Sequence, residues 1–251
     1  MSPFDLTGKI ALVTGANTGI GQAIAVGLAG AGADIAVAGR TLPSETAALA
    51  RHAGRKFLAI NADFSTIAPV EAVVAQVLQH LGHIDILVNN AGIIRRSEAL
   101  EFSEADWDAV LNVNLKTVFF LSQAVARQML AQGEGGKIIS IASLLSFQGG
   151  IRVASYTAAK SGLAGVTRIL ANEWAAKGIN VNAIAPGYIE TKNTEALRQD
   201  EGRNRQILDR IPASRWGKPE DIAGTAVFLA SRAADYVHGA IIPVDGGWLA
   251  R

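Results

Sequence analysis

Lys9-Ile10-Ala11-Leu12-Val13-Thr14 runs directly into Gly15-Ala16-Asn17-Thr18-Gly19-Ile20-Gly21, and a helix-length apolar stretch, Gly21–Ala31, follows. An unbroken apolar run of this length reads as a strand covered on both faces, which is how strands of parallel sheets read. Glycines at a strand-to-helix turn let the backbone approach a pyrophosphate at the positive end of the helix. The spacing is Gly-x-x-x-Gly-x-Gly rather than the standard Gly-x-Gly-x-x-Gly of dinucleotide sites. An ordinary glycine-rich turn is the plain alternative. The apolar strand before the turn and the helix after it favour a nucleotide cradle, with contacts expected from Gly15, Asn17, Thr18, Gly19, Ile20 and Gly21.

The same alternation continues outward from this unit. Further strands are expected at Asp34–Ala38, Phe57–Ala62, Ile84–Asn89, Lys137–Ala142, Asn180–Ala185 and Ala240–Val244, besides Ile10–Val13. Helical patterns lie between them, at Val70–Leu81, Asp106–Leu130, Ser155–Ala176 and Glu220–Ala230. Seven strands that are apolar on both faces, separated by helices, predict an α/β fold. Its core is a doubly wound parallel sheet with helices on both faces. No linker or repeat divides residues 1–251, so one domain is expected. The stretch 188–212, rich in Arg, Asn and Gln, breaks the alternation. It reads equally as a lid over the carboxyl edge of the sheet or as a pair of surface helices.

Composition narrows the function. Of 251 residues 49% are apolar, ample for a large core. Lys and Arg number 23 against 22 Asp and Glu, so no charge excess suggests nucleic acid or an anionic membrane as partner. There is no cysteine, hence no disulfide and no thiolate metal site, and the four histidines lack ligand spacing. The opening residues do not resemble a signal peptide, and no run of 18 uncharged apolar residues occurs. A cytoplasmic protein without a metal is the expectation.

Three further features carry chemistry. At the end of the second strand stands Gly39-Arg40, where a dinucleotide fold commonly has a carboxylate for the ribose 2′-hydroxyl. A guanidinium there suits a 2′-phosphate, so the reading leans to NADP over NAD, although Arg40 could equally stack on the adenine. Asp63, after the third strand, could bond the adenine or cap the following turn. Finally, Tyr156 and Lys160 stand four apart in Ser155-Tyr156-Thr157-Ala158-Ala159-Lys160-Ser161, on one face of a helix. A nearby ammonium favours the phenolate, which would let tyrosine exchange a proton with an alcohol or carbonyl oxygen.

Taken together, Thr14–Gly21, Asn89-Asn90-Ala91-Gly92, Asn114, Ser143, Tyr156 and Lys160 resemble the short-chain dehydrogenase/reductase family from about Thr7 to the C-terminus. The resemblance implies a single Rossmann-like domain with a seven-stranded parallel sheet, commonly a homotetramer. It also implies an NAD(P)-dependent oxidoreductase. By matching position, Tyr156 is the general acid or base, and Ser143 bonds the substrate oxygen. Lys160 lowers the tyrosine pKa and bonds the nicotinamide ribose. Asn114 helps hold a relay water, unless it merely bonds backbone. Asn90, Ala91 and Gly92 border the cofactor, as do Pro186, Gly187, Ile189 and Thr191 after the sixth strand.

Cations near the carboxyl ends of the strands suggest an acidic substrate. Arg95, Arg96 and Arg152 lie there, with Lys192 and Arg198 in the possible lid, while Gln148 and Asn193 could meet hydroxyls. Taken singly, each charge is more simply read as solvated. Local runs such as Leu145–Val153 and Asp245–Arg251 resemble the branch of the family that acts on sugar acids of the 2-deoxygluconate and 2-dehydro-3-deoxygluconate type. A 3-oxoacyl thioester reductase and a non-catalytic dinucleotide sensor are the rival readings. The C-terminal Ile241, Ile242, Trp248 and Leu249 are too apolar for a free tail and are expected at a subunit interface.

Overall fold

The computed structural model describes residues 2–251. Seven strands form one sheet: β1 (Ile10–Thr14), β2 (Asp34–Gly39), β3 (Phe57–Asn61), β4 (Ile86–Asn89), β5 (Gly136–Ile141), β6 (Ile179–Pro186) and β7 (Ile241–Val244). Their order across the sheet is β3-β2-β1-β4-β5-β6-β7, and every pairing is parallel. The order reverses between β1 and β4. That is the switch point at which ligands of doubly wound sheets bind.

Side chains alternate along β1 and so feed two cores. Ala11 and Val13 face helices α1 (Gly19–Gly30) and α9 (Pro219–Ala230), where Ile24, Leu28, Ile222 and Leu229 are fully buried. Ile10 and Leu12 face the other side, covered by α3 (Val70–Leu81) and α5 (Thr117–Gln132) through Val77, Leu121, Val125 and Met129. Helix α6 (Ala154–Trp174) completes that layer with Leu170 and Ala171. With α4 (Glu104–Leu111) and a π-helical turn at Asn112–Lys116, α5 belongs to a continuous 29-residue helix. That helix is long and apolar enough to cross a membrane by composition, and burial against the sheet accounts for its apolar side chains.

The expected strands and long helices lie within two residues of those observed. One boundary moves for a visible reason: Ile84 exchanges both backbone hydrogen bonds with the Gln132 side chain, at 3.0 Å each, so β4 starts later. The expectation that all seven strands are apolar on both faces is corrected at the edges. Ala59 and Asn61 of β3 are exposed, and β7 carries Pro243, which an edge strand tolerates because it needs no donor there. Helix α2 (Ser44–His52) was not foreseen; its buried face is Thr46, Ala47 and Ala50, small residues with little contrast to the rest.

The stretch 188–212 is ordered into a 3-10 turn at Lys192–Thr194, α7 (Glu195–Gln199) and α8 (Glu201–Arg210). Its apolar side chains join a third cluster of Leu144, Ile207, Ile211, Trp216 and Trp248. The C-terminus was expected to bury its apolar side chains at a subunit interface; Trp248, only 4% exposed, is already packed within its own chain.

Candidate active site

A cavity of about 970 Å³ opens over the carboxyl ends of the strands, on the β1/β4 switch point. The glycine turn forms one wall. Gly15 and Gly19 have positive φ, +64° and +61°, which side-chain-bearing residues rarely adopt. Gly15 has no room either, since a Cβ there would meet the Ala91 Cα at 2.9 Å; at Gly19 the backbone conformation alone disfavours a side chain. A Cβ on Gly21 would overlap the Asn90 Nδ2 and lie 2.6 Å from the Gly15 carbonyl oxygen. Thr18 caps α1 in extended conformation without a side-chain hydrogen bond, so the first-turn N–H groups have no side-chain acceptor. A close backbone cradle at a helix N-terminus fits a pyrophosphate.

Asn90 and Thr14 hold that wall in place. Asn90 Nδ2 donates to the carbonyls of Thr14 and Gly15, each at 2.9 Å. The Thr14 hydroxyl accepts from the backbone N–H groups of Asn90 and Ala91, each at 3.0 Å. The sequence reading assigned Asn90 to the cofactor and missed Thr14; in the structure both pin the glycine turn to the end of β4. Arg40 and Asp63 line the far end of the cavity. Asp63 accepts from the Ser65 N–H at 2.9 Å, and that bond is the main reason its carboxyl sits below the usual range.

At the other end stand Tyr156 and Lys160, brought together on the first turns of α6. Lys160 Nζ donates to the Ile141 carbonyl at 2.6 Å and lies 5.5 Å from the centre of the Tyr156 ring. Burial pulls its pKa down to about 8. Burial also lifts the Tyr156 phenol above its usual range; the Ser143 hydroxyl, and then the Arg96 charge, pull it back. The expectation that Lys160 depresses the tyrosine is therefore corrected. Its ammonium is turned to a backbone carbonyl, and desolvation dominates at Tyr156. No sequence signal marks the Ile141 carbonyl as a partner, because any residue there supplies one.

Ser143 ends the loop after β5, where its Oγ accepts from the Leu145 N–H at 3.2 Å. Asn114 is fully buried in the π-helical turn. Its Nδ2 donates to the Ile93 carbonyl at 2.7 Å, and its Oδ1 accepts from the Ile93 N–H at 2.9 Å. Both ends of its side chain thus clamp the loop after β4. π-Helical turns recur at functional sites, where they re-aim one turn of a helix.

The remaining expected residues divide. Asn17, Ile20, Ala91, Gly92 and Thr191 line the cavity, as do Arg95 and Asn193. Pro186, Gly187 and Ile189 do not line it; Gly187 donates to Val244 and packs on Asp245, where a Cβ would come within 2.6 Å of the Asp245 Cα. Arg95 is paired with Asp106 at 3.1 Å. Arg152 pairs with Glu98 at 3.1 Å and does not line the cavity. Gln148 also stays outside, its Oε1 accepting from Trp248 Nε1 at 3.3 Å. Arg96 does line the cavity, exposed and without an ion pair among the described residues, and Lys192 and Arg198 line it as well; Glu190 and Thr194, not singled out from sequence, line it too.

A dinucleotide cradle joined to a tyrosine–lysine pair beside a serine defines a nicotinamide-dependent oxidoreductase that moves a proton at a carbonyl or alcohol oxygen. A family model described as enoyl-(acyl carrier protein) reductase matches residues 15–249. Relatives of 60% and 61% identity, from Dickeya dadantii and Escherichia coli, align over all of this chain and 99% of their own. Both are named 2-dehydro-3-deoxy-D-gluconate 5-dehydrogenase. A solved structure from Agrobacterium tumefaciens, described as a 2-deoxy-D-gluconate 3-dehydrogenase with bound NADP, is 64% identical with a TM-score of 0.94, covering both chains fully. The chain belongs to the short-chain dehydrogenase/reductase family of NAD(P)-dependent oxidoreductases.

Proposed function

We propose that the protein interconverts a ketone and a secondary alcohol on a six-carbon sugar acid of the 2-dehydro-3-deoxygluconate or 2-deoxygluconate type, with NADP. The observation that carries this reading is Arg96, an unpaired guanidinium in the same cavity as Tyr156 and close enough to act on its charge. A carboxylate is what such a group binds well. The names of the full-length relatives point the same way. Arg40 at the place of the usual acid, and the NADP in the Agrobacterium structure, support the phosphorylated cofactor.

Bound nicotinamide supplies the hydride. The chain's own residues do the rest. In reduction Tyr156 gives its phenolic proton to the substrate oxygen, and in oxidation it takes that proton back. Ser143 bonds the same oxygen and stabilises charge developing there. Lys160 holds the Ile141 carbonyl, with its ammonium 5.5 Å from the centre of the Tyr156 ring. Asn114 fixes the loop between the cofactor wall and Arg95–Arg96; Thr191, beside Gly19, borders the cofactor, and Asn193 the substrate side. Pro186, Gly187 and Ile189 act through the shape of the chain leaving β6.

Replacing Arg96 by Gln tests the anchor. KM for a keto-hexonate should rise about tenfold or more, the size of a charge-assisted bond, while a neutral ketone keeps its KM. Equal effects on both would remove Arg96 as the carboxylate partner. The presence of Asn114, Ser143, Tyr156 and Lys160 together argues for an enzyme over a dinucleotide sensor.

A homotetramer working in the cytoplasm is the assembly the family resemblance supports. The buried Trp248 no longer speaks for it. The exposed Leu130 and Ile169, beside a groove between α5 and α6, do. Light scattering at a monomer mass in micromolar solution would contradict it. Segment 188–212 closes one side of the cavity through Glu190–Thr194 and Arg198, which supports a role as a wall or lid for substrate.

A further inference from the structure

The C-terminal turn, Trp248–Ala250, lies outside the cavity, yet it touches both segments that shape the substrate side. The Trp248 indole meets three groups from three parts of the chain. Its Nε1 donates to Gln148 Oε1 at 3.3 Å. Its ring lies 4.7 Å from that of Tyr188, tilted by 52°. The Arg210 guanidinium stacks over it at 4.1 Å, a cation–π distance.

Each partner leads to the site. Gln148 belongs to the loop that begins at Ser143, and that loop is tied to α6. The Ser146 hydroxyl donates to the Lys160 carbonyl at 2.7 Å, and the Ser161 hydroxyl donates to the Leu145 carbonyl at 2.9 Å. Tyr188 starts the segment whose next residues, Glu190–Thr194, line the cavity. Arg210 ends α8, and Ile207 and Ile211 beside it pack in the same cluster as Trp248 and Leu144.

The tail itself is held stiffly. Asp245 accepts from the N–H groups of Gly247 and Leu249, each at 2.9 Å, and Arg251 donates to the Asp209 carbonyl at 2.6 Å. Gly247 has a φ of +89°, which lets the chain turn so that the indole points inward.

We propose that Trp248 is a positioning residue for the reaction: it joins the Ser143 loop to the 188–210 segment and sets the width of the substrate side of the cleft. Small displacements of groups around a reacting centre cost far more than the lost contact itself, because catalysis depends on placement. The nucleotide wall, built on Gly15–Gly21, is braced by Asn90 from the end of β4 and holds no residue of this cluster; the 188–210 segment approaches it only where Thr191 stands beside Gly19, so the effect should fall on substrate far more than on cofactor.

The inference rests on the sugar-acid reading only for the choice of assay substrate. The test compares wild type, Trp248→Phe, Trp248→Ala and Gln148→Ala by steady-state kinetics with a keto-hexonate, and by NADPH titration followed through fluorescence. Trp248→Phe keeps an aromatic ring against Tyr188 and Arg210 but loses the bond to Gln148. It and Gln148→Ala should each raise KM about three- to tenfold, the size of one neutral hydrogen bond. NADPH affinity should be unchanged and kcat should change less than KM. Trp248→Ala should raise KM further, with Trp248→Phe a partial rescue. Unchanged KM in Trp248→Phe and Gln148→Ala overturns the proposal, as does a parallel loss of NADPH affinity, which would mark a merely structural residue. Failure of wild type to turn over any keto-hexonate would instead sink the substrate reading.

Discussion

In the proposed mechanism Tyr156 carries the chemistry, and its surroundings set when it can act. Burial raises the phenol pKa above its usual range, with the Ser143 hydroxyl and the Arg96 charge working against burial. Oxidation of an alcohol needs Tyr156 deprotonated, so its rate should rise with pH as the phenol titrates; reduction needs the proton and should fall over the same range. Removing the Ser143 hydroxyl removes a group that lowers the pKa. In Ser143→Ala both limbs should therefore move to higher pH, and a pH–rate profile showing a shift to lower pH would contradict the assignment. Tyr156→Phe keeps the ring but loses the proton, and kcat should drop by ~10² to 10⁴ with NADPH binding intact. Stopped-flow or steady-state rates retaining more than about a tenth of normal kcat would refute the role. Of these residues, Tyr156, Lys160 and Ser143 were legible from spacing and resemblance. The direction of the tyrosine shift was not, because it depends on how deeply the ring packs and on Lys160 finding the Ile141 carbonyl, and neither appears in a sequence.

At the scale of elements, the strands and long helices were readable because each buries a continuous apolar face. Elements whose buried residues are small or few were read poorly or not at all: α2 hides only Thr46, Ala47 and Ala50, and α8, which buries only Ile207, was foreseen no further than as one of a surface helix pair in 188–212. Side-chain bridges between elements were also invisible. Asn90, expected at the cofactor, does line the cavity, and its side chain also joins the β1 turn to the end of β4. Asn90→Ala would leave the Thr14 and Gly15 carbonyls without that donor, at a cost of about 1–3 kcal/mol. Isothermal titration of the variant should show weaker NADPH affinity by about tenfold, since the glycine turn loses its brace. Unaltered affinity would show that the turn stands without Asn90. Arg152 and Gln148, expected as substrate ligands, stand outside the cavity for a related reason: sequence placed them near the site but could not show that Glu98 and Trp248 pair with them.

Over the whole molecule, the sheet order places the nucleotide cradle and the tyrosine–lysine pair at opposite ends of one cavity above the switch point. The near-even charge fits a small-molecule enzyme, and the cations that matter are local, Arg40 at one end and Arg96 toward Tyr156. The central claim is that this cavity reduces a sugar-acid ketone with NADPH. Initial rates of the purified protein with NADPH and NADH, against a panel of keto-hexonates and an acetoacetyl thioester, test it most directly. The expected result is the highest kcat/KM for a keto-hexonate, with NADPH preferred over NADH and that preference lost in Arg40→Ala. A higher kcat/KM for the thioester than for every keto-hexonate, or a wild-type preference for NADH, would contradict the account.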